Sequence, residues 1–282
     1  MAIAYESHSA ATVDNSGTLV ITKPTGLAVG DLMVAGIWGD RDGGTSAVPD
    51  TASGWTSVRY LNTGTSNGFL SVQTKTADSG DVAASNFTFT ATGTTSQMHL
   101  CGFIVRVSGY GNTAGEANAT SGSTSSTLTI TGFTPSPAIT SALYILFAGR
   151  AFAGSGVGIS SVAMATSNPT WTEREENGVN GSTTDSQFAL YTATRTESTA
   201  TGDFTVTYAT TDNTRSGSVV LALNPSISGS VTPTTTVYAY TYTPVQSAKL
   251  LISGDTPEAT TRRQTMWTEE TKNTTTWTEE NT

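Results

Sequence analysis

Seven short segments of this chain occur a second time, in the same order, further along the sequence. The first set lies between residues 18 and 107, and the second set lies between residues 127 and 223. Strands keep their length while loops gain residues, so a shared order with drifting spacing predicts an internal duplication. The matched segments are Thr18–Thr22 with Thr127–Thr131, Asp31–Val34 with Ala142–Ile145, Gly54–Thr56 with Thr170–Thr172, Phe69–Lys75 with Phe188–Arg195, Gly80–Asp81 with Gly202–Asp203, Phe87–Thr90 with Phe204–Thr207, and Phe103–Val107 with Val219–Leu223.

The repeated segments have the pattern of β-strands. Apolar residues alternate with Thr and Ser in short runs, Gly, Asn, Ser and Asp separate the runs, and no long segment has helical periodicity. We therefore predict an all-β protein with two tandem antiparallel β-sandwich domains, of jelly-roll or immunoglobulin-like type, and an extended C-terminal tail. The strands predicted in the first half are Thr18–Thr22, Asp31–Trp38, Trp55–Leu61, Phe69–Thr76, Phe87–Thr92 and His99–Val107.

The predicted domain boundaries follow from the repeat. The first sandwich occupies residues 1–109, the second occupies residues 110–225, and the tail occupies residues 226–282. Tyr110–Ser126 is either a connector or the first strand of the second unit. A single fused sandwich built from both halves stays open as an alternative, because each half alone can leave an open sheet edge.

The composition and net charge of the chain restrict the classes of function that we expect for it. Charged residues make up 12% of the chain, against a usual fraction of about 25%, and the formal net charge is −9. A negative protein without a basic cluster is not expected to bind nucleic acid, whose phosphates require Lys and Arg. The N-terminus has no signal-peptide pattern, and no apolar run is long enough for a transmembrane helix. This composition without an export signal favours a virion component assembled in a host cytoplasm.

The C-terminal tail has the features of an interaction segment. A Ser/Thr-rich linker leads to a predicted strand, Val237–Thr243, that places Tyr238, Tyr240 and Tyr242 on one face. A Trp-Thr-Glu-Glu unit then occurs twice, and a large aromatic side chain in a polar tail favours docking against a partner. A disordered solubilising tail is the alternative. The candidate contact residues of the two units are Trp267, Glu269, Trp277 and Glu279.

The sequence offers little for catalysis. The chain has two histidines, His8 and His99, and one cysteine, Cys101, which lies in an apolar run and is expected to be a buried thiol. We therefore expect no catalytic residues, no cofactor and no zinc site. Asp40 and Asp42 precede two glycines in a loop that could hold calcium, but a plain Gly-rich loop is the default. The acidic trio Glu173, Glu175 and Glu176 is expected to be solvated surface.

Three tryptophans could contact a sugar. Exposed aromatic faces stack on glycans, and the candidates are Trp38, Trp55 and Trp171. Trp55 and Trp171 occupy matching places in the two halves, each followed by Thr. Matched tryptophans in a duplicated fold are more often part of the packing, so core packing is the favoured interpretation.

The first half resembles a β-sandwich module of tailed-bacteriophage structural proteins. The resemblance is carried by Thr22–Val34 with its Gly-Asp turn, by Pro49, by Gly54–Thr56, by Phe69–Ala77 and by Phe87–Thr90. The Trp-Thr repeat of the tail is similar to the Thr-rich Trp-Thr tails of short phage virion proteins. The resemblance implies a decoration-like or fibre-like structural role and no catalytic residues. The second half departs from the pattern because it lacks the Gly-Asp before Ala142.

Together these observations predict a non-enzymatic virion protein, either a capsid decoration or a head fibre, anchored through its tail. The expected partners are other virion proteins and further copies of the chain, joined by strand addition. Membrane insertion is not expected. A tail-associated or host-glycan-binding adhesin is the second hypothesis, and a glycan-cleaving enzyme is the third.

Overall fold

The structure, a computed structural model, describes most of the chain up to Ser226. The described residues are 2–226, with gaps at 14–15, 42–47, 64–67, 93–97, 122–125, 137–140, 154–161, 165–169, 181–183, 197–200 and 209–212. The predicted tail interaction residues therefore lie outside the described part. All the described residues belong to one compact unit, Met1–Ile227.

The described part is built almost entirely of β-strands. One short helix, α1, spans Ser79–Ala83, and the Asp78 side chain caps it. The strands are β1 Ala4–Val13, β2 Thr18–Thr22, β3 Leu32–Arg41, β4 Val48–Pro49, β5 Thr56–Asn62, β6 Phe69–Thr76, β7 Asn86–Thr92, β8 Met98–Ser108, β9 Tyr110–Ser121, β10 Thr127–Ile130, β11 Ala142–Ala153, β12 Val162–Met164, β13 Thr172–Asn180, β14 Thr184–Arg195, β15 Phe204–Tyr208 and β16 Asn213–Pro225. The prediction of an all-β protein is confirmed.

The strands form four sheets in which all pairs are antiparallel. Two sheets have five strands, in the orders β1-β8-β3-β6-β5 and β9-β16-β11-β14-β13, and two have three strands, in the orders β2-β7-β4 and β10-β15-β12. The sheets of the two halves have the same strand order. Adding eight to each strand number of a sheet in the first half gives the order of the sheet of the same size in the second half. The strand registers correspond as well: β3 pairs Leu32 with Val107 of β8, and β11 pairs Leu143 with Leu223 of β16.

The central strands are buried on both faces. Along β3, Val34 and Trp38 belong to one buried cluster, whereas Met33 and Ile37 belong to another. A strand covered on both sides needs a continuous apolar run, and Leu32–Trp38 has such a run. By contrast, β2 and β7 alternate buried and exposed residues, as expected for strands with one solvated face.

The largest buried cluster contains side chains from both five-stranded sheets. Val34, Phe103 and Val105 of the first sheet share it with Phe147 and Leu221 of the second. A further cluster joins each five-stranded sheet to strands of its own three-stranded sheet, as Leu19 and Phe89 do in the first half and Leu128 and Phe204 do in the second. The halves before and after Gly109 therefore have a common core in addition to their own.

The connection between the halves is short. Strand β8 ends at Ser108 and β9 begins at Tyr110, with Gly109 between them at a φ of 66°. A Cβ on Gly109 would lie 2.1 Å from the carbonyl oxygen of Ala2, so both the backbone angle and the packing require glycine. Of the two interpretations of Tyr110–Ser126, the first strand of the second half is the one observed, as β9.

Candidate functional site

The three candidate tryptophans pack inside the protein. Trp38 is completely buried, Trp55 is 8% exposed, and Trp171 is partly buried. Trp55 contacts Phe87 edge to face, with ring centroids 5.8 Å apart at 84°, and Trp171 contacts Phe204 at 5.9 Å and 78°. These near-identical contacts follow the matched positions in sequence. A sugar could stack on Trp38 only if the core opened.

Asp40, one of the two calcium candidates, is engaged in a buried ion pair. Its Oδ1 atom lies 2.5 Å from Nε of Arg215, and Asp40 is fully buried while Arg215 is 6% exposed. Asp40 lies in β3 of the first half and Arg215 in β16 of the second. A buried carboxylate is stable only when it is paired with a positive charge. Here the Arg215 guanidinium supplies that charge, so Asp40 does not need a calcium ion. Asp42 lies outside the described residues, among which no acidic, histidine and cysteine side chains cluster to hold a metal.

The acidic trio at the start of β13 is bonded to neighbours. Glu173 accepts a hydrogen bond from the Tyr191 hydroxyl at 3.0 Å, and Glu176 accepts one from Nε2 of Gln187 at 3.3 Å. Burial and the Glu173 charge raise the pKa of Tyr191. Glu175 pairs with His8. Glu173 is exposed and the Glu175 side chain is 41% exposed, as predicted for surface carboxylates, and each of the three also contacts a side chain of another strand.

Cys101 cannot easily act as a nucleophile. Its side chain has no exposed surface and lies in the cluster between the five-stranded sheets. Burial, together with the Asp40 carboxylate, raises the pKa of the thiol. The thiolate is the reactive form of cysteine, and it is suppressed here.

A partly buried polar cluster lies where β1 of the first half meets β13 of the second. His8 Nδ1 and the Tyr5 hydroxyl are 2.5 Å apart, and His8 Nε2 lies 2.6 Å from Oε2 of Glu175. The guanidinium carbon of Arg174 lies 4.1 Å from the centre of the Tyr5 ring. Burial raises the pKa of Tyr5, and the nearby Arg174 charge opposes that rise.

A second polar contact links β5 of the first half with β9 of the second. Arg59 donates from Nε and Nη2 to the two carboxylate oxygens of Glu116, at 2.6 and 2.8 Å. The strand registers place Glu116 opposite Leu221 and His8 opposite Val105, which are matching positions in the two sheets. Likewise, Arg59 pairs with Val72 where Glu175 pairs with Leu190. The two contacts therefore lie at corresponding positions with the acidic and basic partners exchanged.

A cavity of about 290 Å³ adjoins the first of these contacts. Its lining comes from the start of β1 and the residue before it, from the starts of β11 and β13 with Thr170, and from the end of β14. The lining consists of several threonines, the Arg174 side chain and a small apolar part. The lining residues are Ile3, Ala4, Tyr5, Leu143, Thr170, Thr172, Arg174, Thr192, Ala193 and Thr194. Sequence reasoning missed this site because its residues come from distant segments and none is unusual in its local pattern.

Comparison with protein-family models, with curated proteins and with solved structures finds no match to this chain. Within the part of the chain that the structure describes, no helix has the length and apolar character required to cross a membrane.

Proposed function

We propose that this protein is a non-enzymatic structural component of a tailed-phage virion, either a capsid decoration or a head-fibre protein, anchored through residues 226–282. The observation that carries the proposal is where the ionisable and nucleophilic side chains lie and what they contact. Asp40, Cys101 and Arg215 are buried between the two halves, and His8 and Glu175 bridge them at the edge. These groups support a packed body and leave little for catalysis.

The repeated strand order supports an origin by duplication. Each half contributes a five-stranded and a three-stranded sheet in the same order, with a buried cluster between them. We interpret each half as one antiparallel β-sandwich of the jelly-roll or immunoglobulin-like type, with the two packed through their larger sheets. A compact β-body of this kind suits display on a particle surface.

The tail supplies the proposed attachment. Trp267 and Trp277 each begin a Trp-Thr-Glu-Glu unit, and two equivalent units can make two equivalent contacts. On a symmetric particle, many weak contacts of this kind add up through avidity. The partners are other virion proteins and neighbouring copies of the chain.

The test compares the full chain with a chain that ends at Pro225, using purified particles that lack the protein. Only the full chain is expected to sediment with the particles, since it alone contains the tail. A matched variant with Trp267 and Trp277 changed to Ala separates the aromatic contacts from tail length. Equal binding of the full and shortened chains would overturn the tail as the anchor.

A host-glycan-binding adhesin is the second candidate. The observation that favours it is the cavity beside Arg174, because the candidate tryptophans themselves are packed inside. If neither chain binds particles and both bind host cells, the adhesin role replaces the structural one.

A further inference from the structure

Arg174 is exposed, and its guanidinium makes two contacts with neighbouring side chains at the cavity. Nε of Arg174 donates to Oγ1 of Thr192 at 2.6 Å, and the guanidinium lies over the Tyr5 ring. These contacts leave the two terminal amino groups of Arg174 without an acceptor among the described residues. A guanidinium presents its donors in a planar fork that matches a carboxylate. The contacts with Thr192 and Tyr5 reduce the side-chain freedom that a ligand would have to restrict.

Arg174 occupies a special place on its strand. In β13 the pairing with β14 shifts register between Glu173 and Glu175, which makes Arg174 the extra residue of a β-bulge. The matching strand β5 shifts register between Ser57 and Arg59, so Val58 is its extra residue. Val58 packs against the central apolar cluster. Bulges redirect side chains near binding sites, and here one half has an arginine where the other has a core residue.

The rest of the lining favours a small hydroxylated ligand. Four threonines line the cavity, and a threonine hydroxyl can both donate and accept a hydrogen bond. Leu143, Ile3 and Ala193 supply an apolar part. The volume of about 290 Å³ is just below the range of typical ligand pockets, which span about 300–1,000 Å³. Such a volume suits one compact ring better than an extended peptide.

We propose that this cavity binds an acidic monosaccharide unit, with the sugar carboxylate on the free amino groups of Arg174 and the ring hydroxyls on the threonines. This activity is separate from attachment through the tail and does not depend on it. It would let the described body recognise uronic or nonulosonic acids of surface polysaccharides.

The test measures binding of free sugars to the full chain by ligand-observed NMR and by calorimetry. Glucuronic acid and N-acetylneuraminic acid are the acidic probes, glucose and N-acetylglucosamine are the neutral probes, and acetate is the carboxylate without a sugar. We expect saturable binding of at least one acidic sugar, weakened by salt, and much weaker binding of the neutral sugars and acetate.

Two pairs of variants locate the site. Arg174→Gln is expected to weaken binding about tenfold or more, because a charge-assisted hydrogen-bond pair is lost. Arg59→Gln removes the same charge at the opposite edge and should leave binding unchanged. Thr172→Val should weaken binding severalfold, whereas Thr56→Val, at the matching position of β5, should not. Thermal unfolding of each variant verifies that it is folded.

Three results would overturn the proposal. They are the absence of saturable binding by every acidic sugar, equal binding of acetate and the acidic sugars, and equal loss of binding in Arg174→Gln and Arg59→Gln. If Arg174→Gln fails to fold, the wild-type protein still decides the question. Its amide signals from β1 and β13 must shift with the acidic sugar, and shifts confined to other strands would contradict the site.

Discussion

Trp38 and Gly149 show how the two halves differ at corresponding positions. In the paired registers, Trp38 lies opposite Cys101 and Gly149 lies opposite Gly217, which are matching places in the two five-stranded sheets. The Trp38 indole fills the space where a Cβ on Gly149 would lie, at 2.3 Å. Gly36 and Phe147 have the same relation, with the ring 2.4 Å from a Cβ built on Gly36. Each large side chain therefore packs against the glycine at its own counterpart position.

Because a large residue of one half packs against a glycine of the other, adding a single methyl group at that glycine should lower stability strongly. Gly149→Ala should lower the free energy of unfolding by about 1–3 kcal/mol, because an indole in a packed core cannot move aside easily. Gly202→Ala is the matched control, since a Cβ there meets nothing within 4 Å, and it should change stability by less than about 0.5 kcal/mol. Urea unfolding of both variants provides the comparison. Equal effects would show that the Trp38 contact does not restrict Gly149.

Residue-level matching from sequence was accurate for some strands and one residue off for another. The sequence match equates Phe69 with Phe188, yet Phe69 packs with the outer cluster of the first half and Phe188 with the central cluster. The register with β3 and β11 instead equates Leu70 with Phe188. A shift of one residue turns a strand over, and letter similarity alone cannot detect it when both faces are apolar.

At the scale of elements, polar contacts join the edge strands of one five-stranded sheet to the edge strands of the other. Strand β1 meets β13 through His8 and Glu175, and β9 meets β5 through Glu116 and Arg59. Both β5 and β13 contain a bulge next to the residue that makes the contact. Bulges bend a strand locally and redirect its side chains, and each of these bulges adjoins the residue that contacts the opposite sheet.

The contact between Arg59 and Glu116 should make a measurable but modest contribution. The Arg59 side chain is 42% exposed and that of Glu116 is 14% exposed, so solvent screens the pair in part. A double-mutant cycle with Arg59→Gln and Glu116→Gln should give a coupling energy of about 0.5–1 kcal/mol, decreasing as salt is added. Chemical unfolding at two salt concentrations measures it. A coupling of zero at low salt would mean that the pair does not join the edges.

The elements themselves were predictable to different degrees. The bounds of β2 and β6 match the prediction, and β2 has the alternating burial that its sequence pattern indicates. Strand β1 was not predicted, since Ala4–Val13 is rich in small and polar residues and lies half-buried at a sheet edge. The helix α1 was not predicted either, because five residues are too few to show a helical period.

At the scale of the whole molecule, the common core should make the two halves unfold together. Side chains of both halves form the central cluster, and Cys101 lies within it. Calorimetry of the full chain should show one transition for this unit, with calorimetric and van't Hoff enthalpies in agreement. The Cys101 thiol should become reactive toward a thiol reagent only across that transition. Two separated transitions would mean that the halves are independent domains.

The sequence alone predicted the all-β class, because strand alternation is a local property. The arrangement of the sheets and the Arg174 cavity could not be predicted in the same way. They depend on which faces of distant strands meet, as where Tyr5 lies beside Arg174. The virion role, the tail contacts and the sugar site remain predictions that experiments on the assembled particle and the isolated chain can decide.

The proposed virion role is tested most directly by quantitative mass spectrometry of purified virus particles from the source of this sequence, which measures the copy number of the chain per particle. The structural role predicts that the chain is present in a fixed ratio to a capsid or tail protein, and that particles made with a chain ending at Pro225 have lost it. Absence of the full chain from intact particles would contradict the structural role.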